Sequence, residues 1–129
     1  MDFELQSSRP IWQQLSEQLC RRIVTGVYPP GSRFPTVRDL AAEAGVNPNT
    51  MQRALGQLES EGLVITNRTA GRTVTEDVGV LDAMRRRLAA ELTEQFFSAM
   101  KELGYSRAQA AALAAGDQVG DIIQSRQNG

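Results

Sequence analysis

Two short helix patterns joined by a very tight turn constrain the fold of this chain more than any other feature. The first pattern begins after Thr36, whose side chain can cap a helix, with Asp39 three residues later as in a capping box. It ends at Gly45, because glycine readily takes the left-handed conformation that closes a helix. After one intervening residue, Asn47 is placed to cap a second helix, and Pro48 takes its first position, where a missing N–H costs nothing. This arrangement predicts a helix-turn-helix.

The residues around this pair extend the prediction to a winged helix-turn-helix. The apolar positions that would face inward are Val37, Leu40, Ala41 and Ala44 in the first helix, and Met51, Ala54, Leu55 and Leu58 in the second. An earlier helix is indicated by apolar residues at every fourth position, namely Ile11, Leu15, Leu19 and Ile23. Two short β-type runs, 63–66 and 72–75, enclose turn residues 67–71 and predict a hairpin. We therefore predict a mainly α fold with a small β-hairpin wing as a first domain, residues 1–76.

Residues 77–129 are predicted to form a two-helix tail that joins two copies of the chain. A long stripe of apolar residues at helical spacing is interrupted at Gly104. After it, Ser106 with Gln109 three residues later predicts the capping box of a last helix. The apolar residues of that last helix are Ala108, Ala112, Leu113, Val119, Ile122 and Ile123, and residues 126–129 are expected to fray. Two helices are too small to bury the long stripe within one chain. We expect a homodimer in which the stripe contacts a second copy through Leu88, Leu92, Phe96 and Met100.

Histidine, the commonest general base and metal ligand, is absent from the sequence. The chain has no histidine and one cysteine, Cys20, which argues against a zinc site and against a cysteine–histidine nucleophile pair. It also has no glycine-rich phosphate loop. We therefore expect no enzyme activity, no catalytic residue, no metal and no cofactor. No apolar run approaches the ~18 residues of a membrane span. With no secretory signal and a lone cysteine, we expect a cytoplasmic protein.

Net charge alone does not point to a nucleic-acid partner. The whole chain has a net charge of −1, with eight arginines against seven acids in residues 1–75 and six basic residues against eight acids in residues 76–129. A DNA partner is indicated instead by where the polar residues lie, because the second helix of a helix-turn-helix presents its first turn to the major groove. Candidate base contacts there are the hydrogen-bonding side chains of Asn49, Thr50, Gln52 and Arg53. The alternative is a capped helix with a solvated face.

Other arginines are candidates for phosphate and minor-groove contacts. Arg38 lies in the first turn of its helix, where a cation is unfavourable unless an anion such as a phosphate lies close. The alternative is an ion pair with Asp39 or Glu43. Arg33, in the preceding loop, can contact phosphate or hold the turn. At the predicted wing, a glycine allows close approach to DNA and arginine suits a narrow minor groove. The wing candidates are Arg68, Gly71 and Arg72, and the alternative is an exposed hairpin loop.

Three segments of this sequence, GVYPPGSRFPTVRDLA (26–41), GVNPNTMQRA (45–54) and LESEGLV (58–64), resemble the GntR family of bacterial transcription regulators. The resemblance covers residues 10–75, and the NPNT tetrad with a short tail is similar to the YtrA-type branch. It implies a dimeric DNA-binding regulator that acts as a repressor. The DNA-contacting residues would be Arg33, Thr36, Arg38, Asn47, Asn49, Thr50, Gln52, Arg53, Arg68, Gly71 and Arg72. The family wing often reads Gly-x-Gly-x-Phe-Val, whereas Thr69 and Thr73 stand here in place of the first glycine and the phenylalanine.

Two other functions compete with DNA binding. A winged helix can dock a partner protein, and a regulator can hold a small molecule in its tail. Salt-dependent binding to duplex DNA separates the first alternative from a DNA-binding regulator. The tail has few convergent polar groups, which disfavours a polar metabolite but not an apolar one, and the sequence indicates no particular effector. A two-fold dimer would read a palindromic operator with half-sites about one helical turn, or a small multiple, apart.

Overall fold

The computed structural model describes residues 2–116, and its described part is mainly helical with one two-stranded hairpin, which confirms the predicted fold class. The elements in chain order are α1 Ile11–Val24, α2 Val37–Ala44, α3 Pro48–Ser60, β1 Val64–Asn67, β2 Gly71–Val74, α4 Val78–Glu102 and α5 Arg107–Ala114. The chain divides into a first unit that runs to Arg86 and a second that begins at Arg87. The division into a DNA-binding domain and a dimerisation tail at residues 76 and 77 stays a prediction.

The helix-turn-helix forms where its capping residues predict it. Thr36 Oγ1 accepts a hydrogen bond from the Asp39 amide at 3.1 Å, and Asn47 Oδ1 accepts one from the Asn49 amide at 2.7 Å. Gly45 ends α2 in the left-handed conformation, with φ of 68°. A side chain at this position would be strained, so the glycine makes the tight turn between α2 and α3 possible.

The core of the first unit is built from the predicted apolar faces. Leu15, Leu19 and Ile23 of α1 pack under α3, whose four inward residues have no exposed surface. Those four are Met51, Ala54, Leu55 and Leu58. Burying a leucine side chain stabilises a fold by ~1.5–3 kcal/mol. The position of α3, which bears four of the eleven candidate DNA contacts, therefore rests on this shared core.

The wing sheet has an additional backbone partner that the sequence did not predict. β1 and β2 pair antiparallel, with Val64 opposite Val74 and Thr66 opposite Arg72. On its other side, β2 bonds to the segment before α2: the Gly31 amide donates to the Val74 carbonyl at 2.9 Å and the Phe34 amide to the Arg72 carbonyl at 2.8 Å. Residues 31–34 thus extend the hairpin, and Arg33 lies opposite Thr73 on the wing sheet.

A segment before α1 is held along that helix by two glutamines. Gln14 Nε2 donates to the Gln6 carbonyl while its Oε1 accepts from the Gln6 amide, both at 2.7 Å. One turn later, Gln18 bonds in the same way to the amide and carbonyl of Glu4. The two glutamine amides therefore satisfy the backbone N–H and carbonyl groups of Glu4 and Gln6. No pattern in the sequence predicts this arrangement.

The first turns of α4 belong to the first unit. The helix begins at Val78, two residues after the predicted end of the first domain at residue 76, and both Leu81 and Met84 are buried. Arg85 Nη2 donates a hydrogen bond to the carbonyl of Val24 at the end of α1, at 2.8 Å. These contacts explain why the compact first unit extends about ten residues beyond the predicted boundary.

The tail contains the predicted second helix in shorter form. Ser106 and Gln109 form the predicted capping box, and α5 ends at Ala114. The predicted continuation through Val119, Ile122 and Ile123, and the fraying end at 126–129, lie outside the described residues. Among residues 2–116, no helix combines the length and the apolar character required to cross a membrane.

Candidate nucleic-acid interface

The predicted DNA-contacting residues lie in three places of the first unit: the start of α3, the start of α2 with the segment before it, and the wing. Most of their side chains are exposed, and those of Thr50 and Arg72 are half-buried. The structure joins the second and third places directly, because Arg33 lies opposite Thr73 of β2. Packing of α2 against α3 then connects both to the start of α3, the second helix of the helix-turn-helix, which is called the recognition helix below.

The start of α3 presents a polar turn. Asn47 caps the Asn49 amide and Pro48 has no N–H, which leaves the Thr50 amide as a first-turn donor without a hydrogen bond in the described chain. The Gln52 side chain is exposed and makes no hydrogen bond within residues 2–116. Free donors at a helix N-terminus suit phosphate, and a free glutamine amide suits the edge of an adenine.

Arg38 is exposed at the start of α2 and forms no ion pair with the described residues. The alternative from the sequence was a pair with Asp39 or Glu43. Glu43 instead accepts a hydrogen bond from Arg22 Nη1 at 2.9 Å, and no contact within salt-bridge distance joins Arg38 to Asp39. An unpaired cation near the positive end of a helix dipole remains available to an external anion.

Arg53 is turned towards α1 rather than left free. Its guanidinium lies 4.3 Å from the centroid of the Trp12 ring, in a cation–π contact between α3 and α1. Such a contact is a packing role for both side chains. That Arg53 also contacts DNA stays a prediction.

The wing presents one free arginine and one that is engaged. Arg68, in the loop between the strands, is exposed and has no side-chain partner in the described chain. Gly71 begins β2 with a φ of 71°, a conformation that favours glycine. Arg72 Nε donates to Glu59 Oε1 on α3 in a short charged hydrogen bond. Thr73, in place of the family phenylalanine, accepts a hydrogen bond from Asn67 Nδ2 across the hairpin at 2.9 Å.

One charged residue that joins the elements of this interface was missed by sequence reasoning. Arg22 of α1 is only 3% exposed, and its Nη1 donates to the Tyr28 hydroxyl at 2.7 Å as well as to Glu43 of α2. The ring of Phe3 covers its guanidinium at 4.1 Å. The Glu43 partner lies 21 residues away in sequence, so no local spacing signals this cluster.

The predicted dimer residues show apolar surface on α4. Leu92 is 49% exposed and Phe96 36%, while Leu88 and Met100 are half-buried in the single chain. Exposed apolar side chains at successive turns are expected of a surface that a partner covers. Dimerisation itself stays a prediction.

The tail also holds a groove between α4 and α5 that is more polar than the sequence led us to expect. Its volume is 780 Å³ and its lining includes Phe97, Lys101, Tyr105 and Arg107. Glu94 bonds to Arg107 at 2.5 Å, so the most basic group of the groove is already paired. Within the described residues, no cluster of three or more potential metal ligands is found.

Comparison with known proteins identifies relatives for the chain as a whole and for its first unit. Residues 12–74 match the family described as bacterial regulatory proteins, gntR family. The HTH-type transcriptional regulator YhcF of Bacillus subtilis is 38% identical over 107 residues, which cover 83% of this chain and 88% of YhcF. The HTH-type transcriptional repressor YtrA of the same organism is 38% identical over 71 residues, 55% of this chain and 55% of YtrA.

Solved structures with similar folds include regulators and an operator complex. A GntR family transcriptional regulator from Listeria monocytogenes superposes with a TM-score of 0.78 at 34% identity, covering 88% of this chain and all of that one. The DNA-binding domain of AraR, solved in complex with its operator ORE1, gives a TM-score of 0.50 at 28% identity, over 58% of this chain and 94% of that domain.

Proposed function

Since this chain belongs to the GntR family of bacterial regulatory proteins and is a DNA-binding transcription regulator, we propose that it is a repressor that binds a palindromic operator as a homodimer. The printed name of the relative YtrA, a transcriptional repressor, supports the direction of regulation. Bound at an operator, such a dimer prevents transcription by occupying the DNA. As a regulator of bacterial genes it would act in the cytoplasm.

In the proposed complex, the first turn of α3 enters the major groove. Asn49, Thr50 and Gln52 lie on this turn and its continuation, and they would contact base edges. Phosphates on either side would be contacted from the capped start of α2 and the segment before it, by Arg33, Thr36 and Arg38, and from the cap of α3 by Asn47. The wing loop, with Arg68 and Gly71, would follow the adjacent minor groove.

The observation that supports this orientation best is the distribution of paired and unpaired charges in the first unit. The acids Glu17, Glu43 and Glu59 are bonded to Arg9, Arg22 and Arg72 respectively. In contrast, three exposed arginines of the proposed interface have no side-chain partner in the described chain: Arg33, Arg38 and Arg68. A basic surface can therefore exist on a chain whose net charge is −1.

The homodimer is proposed from the tail. Leu88, Leu92, Phe96 and Met100 recur at every fourth position along one side of α4, and Leu92 and Phe96 are substantially exposed in one chain. A two-fold partner would cover this surface with its own copy. It would also place two recognition helices on related half-sites, which is the reason for expecting a palindrome.

Selection from random duplex DNA tests the function. The full-length chain should enrich a two-fold symmetric sequence, and its affinity for that duplex should fall linearly on a log–log plot against salt concentration. A protein-docking module would enrich no sequence and would bind duplex DNA at no salt concentration. That result would overturn the proposal.

A further inference from the structure

One carboxylate on the recognition helix is bonded to both strands of the wing. Glu59 lies in the last turns of α3, and its Oε1 accepts hydrogen bonds from Arg72 Nε on β2 and from Thr66 Oγ1 on β1, the latter at 2.8 Å. Thr66 and Arg72 are directly opposite each other in the hairpin. A single carboxylate oxygen of α3 thus contacts both strands at one pair of opposite residues.

The same residue pair is also held on the other side of β2, by the segment that leads into α2. The Arg72 carbonyl accepts a hydrogen bond from the Phe34 amide at 2.8 Å, in the segment that leads into α2. Arg72 therefore joins α3 through its side chain and the start of the helix-turn-helix through its backbone. Arginine–carboxylate hydrogen bonds are among the stronger and more directional ones in proteins.

Thr66 and Arg72 are separated from the loop of the wing by a single pair of opposite residues. Beyond Thr66 and Arg72 comes the pair Asn67 and Gly71, and then the loop with Arg68 at its start. The direction of the loop relative to α3 is consequently set where Glu59 contacts the strands. The side chain of Arg72 is 21% exposed, and its guanidinium is bonded to Glu59.

We propose that Glu59 and Arg72 are positioning residues, which together hold the wing so that Arg68 reaches the DNA, and that Arg72 does not itself contact DNA. The proposal rests on the proposed DNA-binding function. It reassigns the sequence-based prediction for Arg72. The opposing hypothesis is that Arg72 contacts a phosphate directly and that Glu59 only masks its charge.

The two hypotheses predict effects of opposite sign when Glu59 is truncated. The probe is a duplex selected by the full-length wild-type chain, with an unrelated duplex of equal length for comparison. If Glu59 positions the wing, Glu59→Ala weakens binding of the selected duplex roughly tenfold and lowers the salt slope by about one, because the Arg68 contact is lost. If Glu59 masks Arg72, Glu59→Ala frees a cation, so that binding of both duplexes strengthens and the slope rises.

A double-substitution cycle identifies the residue through which the effect acts. Positioning predicts that Arg72→Ala and Glu59→Ala change neither affinity nor salt slope further once Arg68→Ala is present. A direct phosphate contact by Arg72 predicts that Arg72→Ala lowers the slope by about one more in that background. The second outcome would overturn the proposal, as would any strengthening of binding by Glu59→Ala.

Two further variants separate positioning from charge and from stability. Glu59→Gln keeps an acceptor oxygen for Thr66 and Arg72 and should retain most of the affinity. Glu17→Ala is the matched control, because Glu17 also bonds an arginine in the first unit, at Arg9, but has no bond to the wing. It should bind both duplexes as wild type does. Failure of wild type to select any DNA would instead count against the proposed function.

Discussion

The arginines of the first unit divide into those that hold the protein together and those that remain available to a ligand. Arg22 and Arg72 each join two elements through a carboxylate, and Arg53 lies against Trp12. Arg38 and Arg68 have no such partner among residues 2–116. Since arginine appears in both groups, only the tertiary contacts distinguish a structural arginine from one that remains available to DNA.

Replacing Arg38 tests the phosphate contact at the start of α2. Arg38→Ala should weaken binding to all duplexes alike and flatten the salt slope by about one unit, because one phosphate contact is lost. Lys101→Ala, which removes the same charge from the last turn of α4, is the control and should leave the slope unchanged. An unaltered slope for Arg38→Ala would exclude the contact.

The charge of Glu59 makes the stability of the fold depend on pH, in a direction that follows from the shift of its pKa. The Arg72 guanidinium, and after it the Thr66 hydroxyl, hold the pKa of Glu59 below its ordinary value. A carboxylate whose pKa is lower in the folded than in the unfolded chain stabilises the fold above the unfolded pKa, and this contribution is lost as pH falls through the folded value.

We therefore expect the melting temperature of wild type to exceed that of Glu59→Gln at about pH 6, and the difference to shrink below about pH 4.5. Thermal melting of both proteins across this range is the measurement. A difference that stays constant down to about pH 3 would show that the charge of Glu59 contributes nothing.

At the scale of elements, the recognition helix is held by a core that has no exposed surface and by turns that need particular residues. Leu55 is fully buried, and Gly45 supplies the left-handed residue between α2 and α3. The wing, in contrast, depends on backbone hydrogen bonds to residues 31–34 and on the Glu59 link. Its position is therefore set by contacts between elements rather than by its own two strands.

Truncating a core leucine measures how much the fold depends on this packing. Leu55→Ala should lower the free energy of unfolding by ~2–5 kcal/mol, since it leaves a cavity where no side-chain surface is exposed. Ile65→Ala, at a β1 residue that is 49% exposed, should cost less than about 1 kcal/mol. Urea unfolding of both variants supplies the comparison, and a wild-type-like midpoint for Leu55→Ala would show that the buried face is wrongly identified.

Elements could be predicted from the sequence wherever their signals are local. Thr36, Asn47 and Ser106 cap helices as predicted, because a cap depends on residues within one turn. The pairing of residues 31–34 with β2, the Gln14 contacts to the chain before α1 and the Arg22 cluster could not be predicted. They depend on residues that only the folded chain brings together, and no periodicity records them.

At the scale of the whole molecule, the first unit contains more of the chain than the family pattern does. It extends to Arg86, whereas the family match ends at residue 74. Leu81 and Met84 are buried, and Arg85 bonds to the end of α1. A helix that begins in one unit and continues into the next therefore has its first turns fixed by the DNA-binding core.

A pair of fragments tests this boundary. Residues 1–86 should unfold at a higher temperature than residues 1–78, because the shorter fragment lacks two buried side chains and the hydrogen bond from Arg85. The difference should be at least about 2 kcal/mol in the free energy of unfolding. Equal stability would mean that the start of α4 contributes nothing to the first unit.

We propose that the tail makes the dimer and that the dimer makes DNA binding specific. The most direct test is sedimentation of full-length Phe96→Asp, alone and with the selected duplex, beside Ala90→Asp. Ala90 is exposed, and its place two residues after Leu88 puts it on the other side of α4, so that variant adds the same charge away from the stripe. We predict that wild type and Ala90→Asp sediment as dimers and bind as two chains per duplex. Phe96→Asp should sediment as a folded monomer, because burying an unpaired carboxylate is very costly, and it should lose its preference for the selected duplex. A Phe96→Asp protein that remains dimeric, or that binds the selected duplex as tightly as wild type, would contradict the claim.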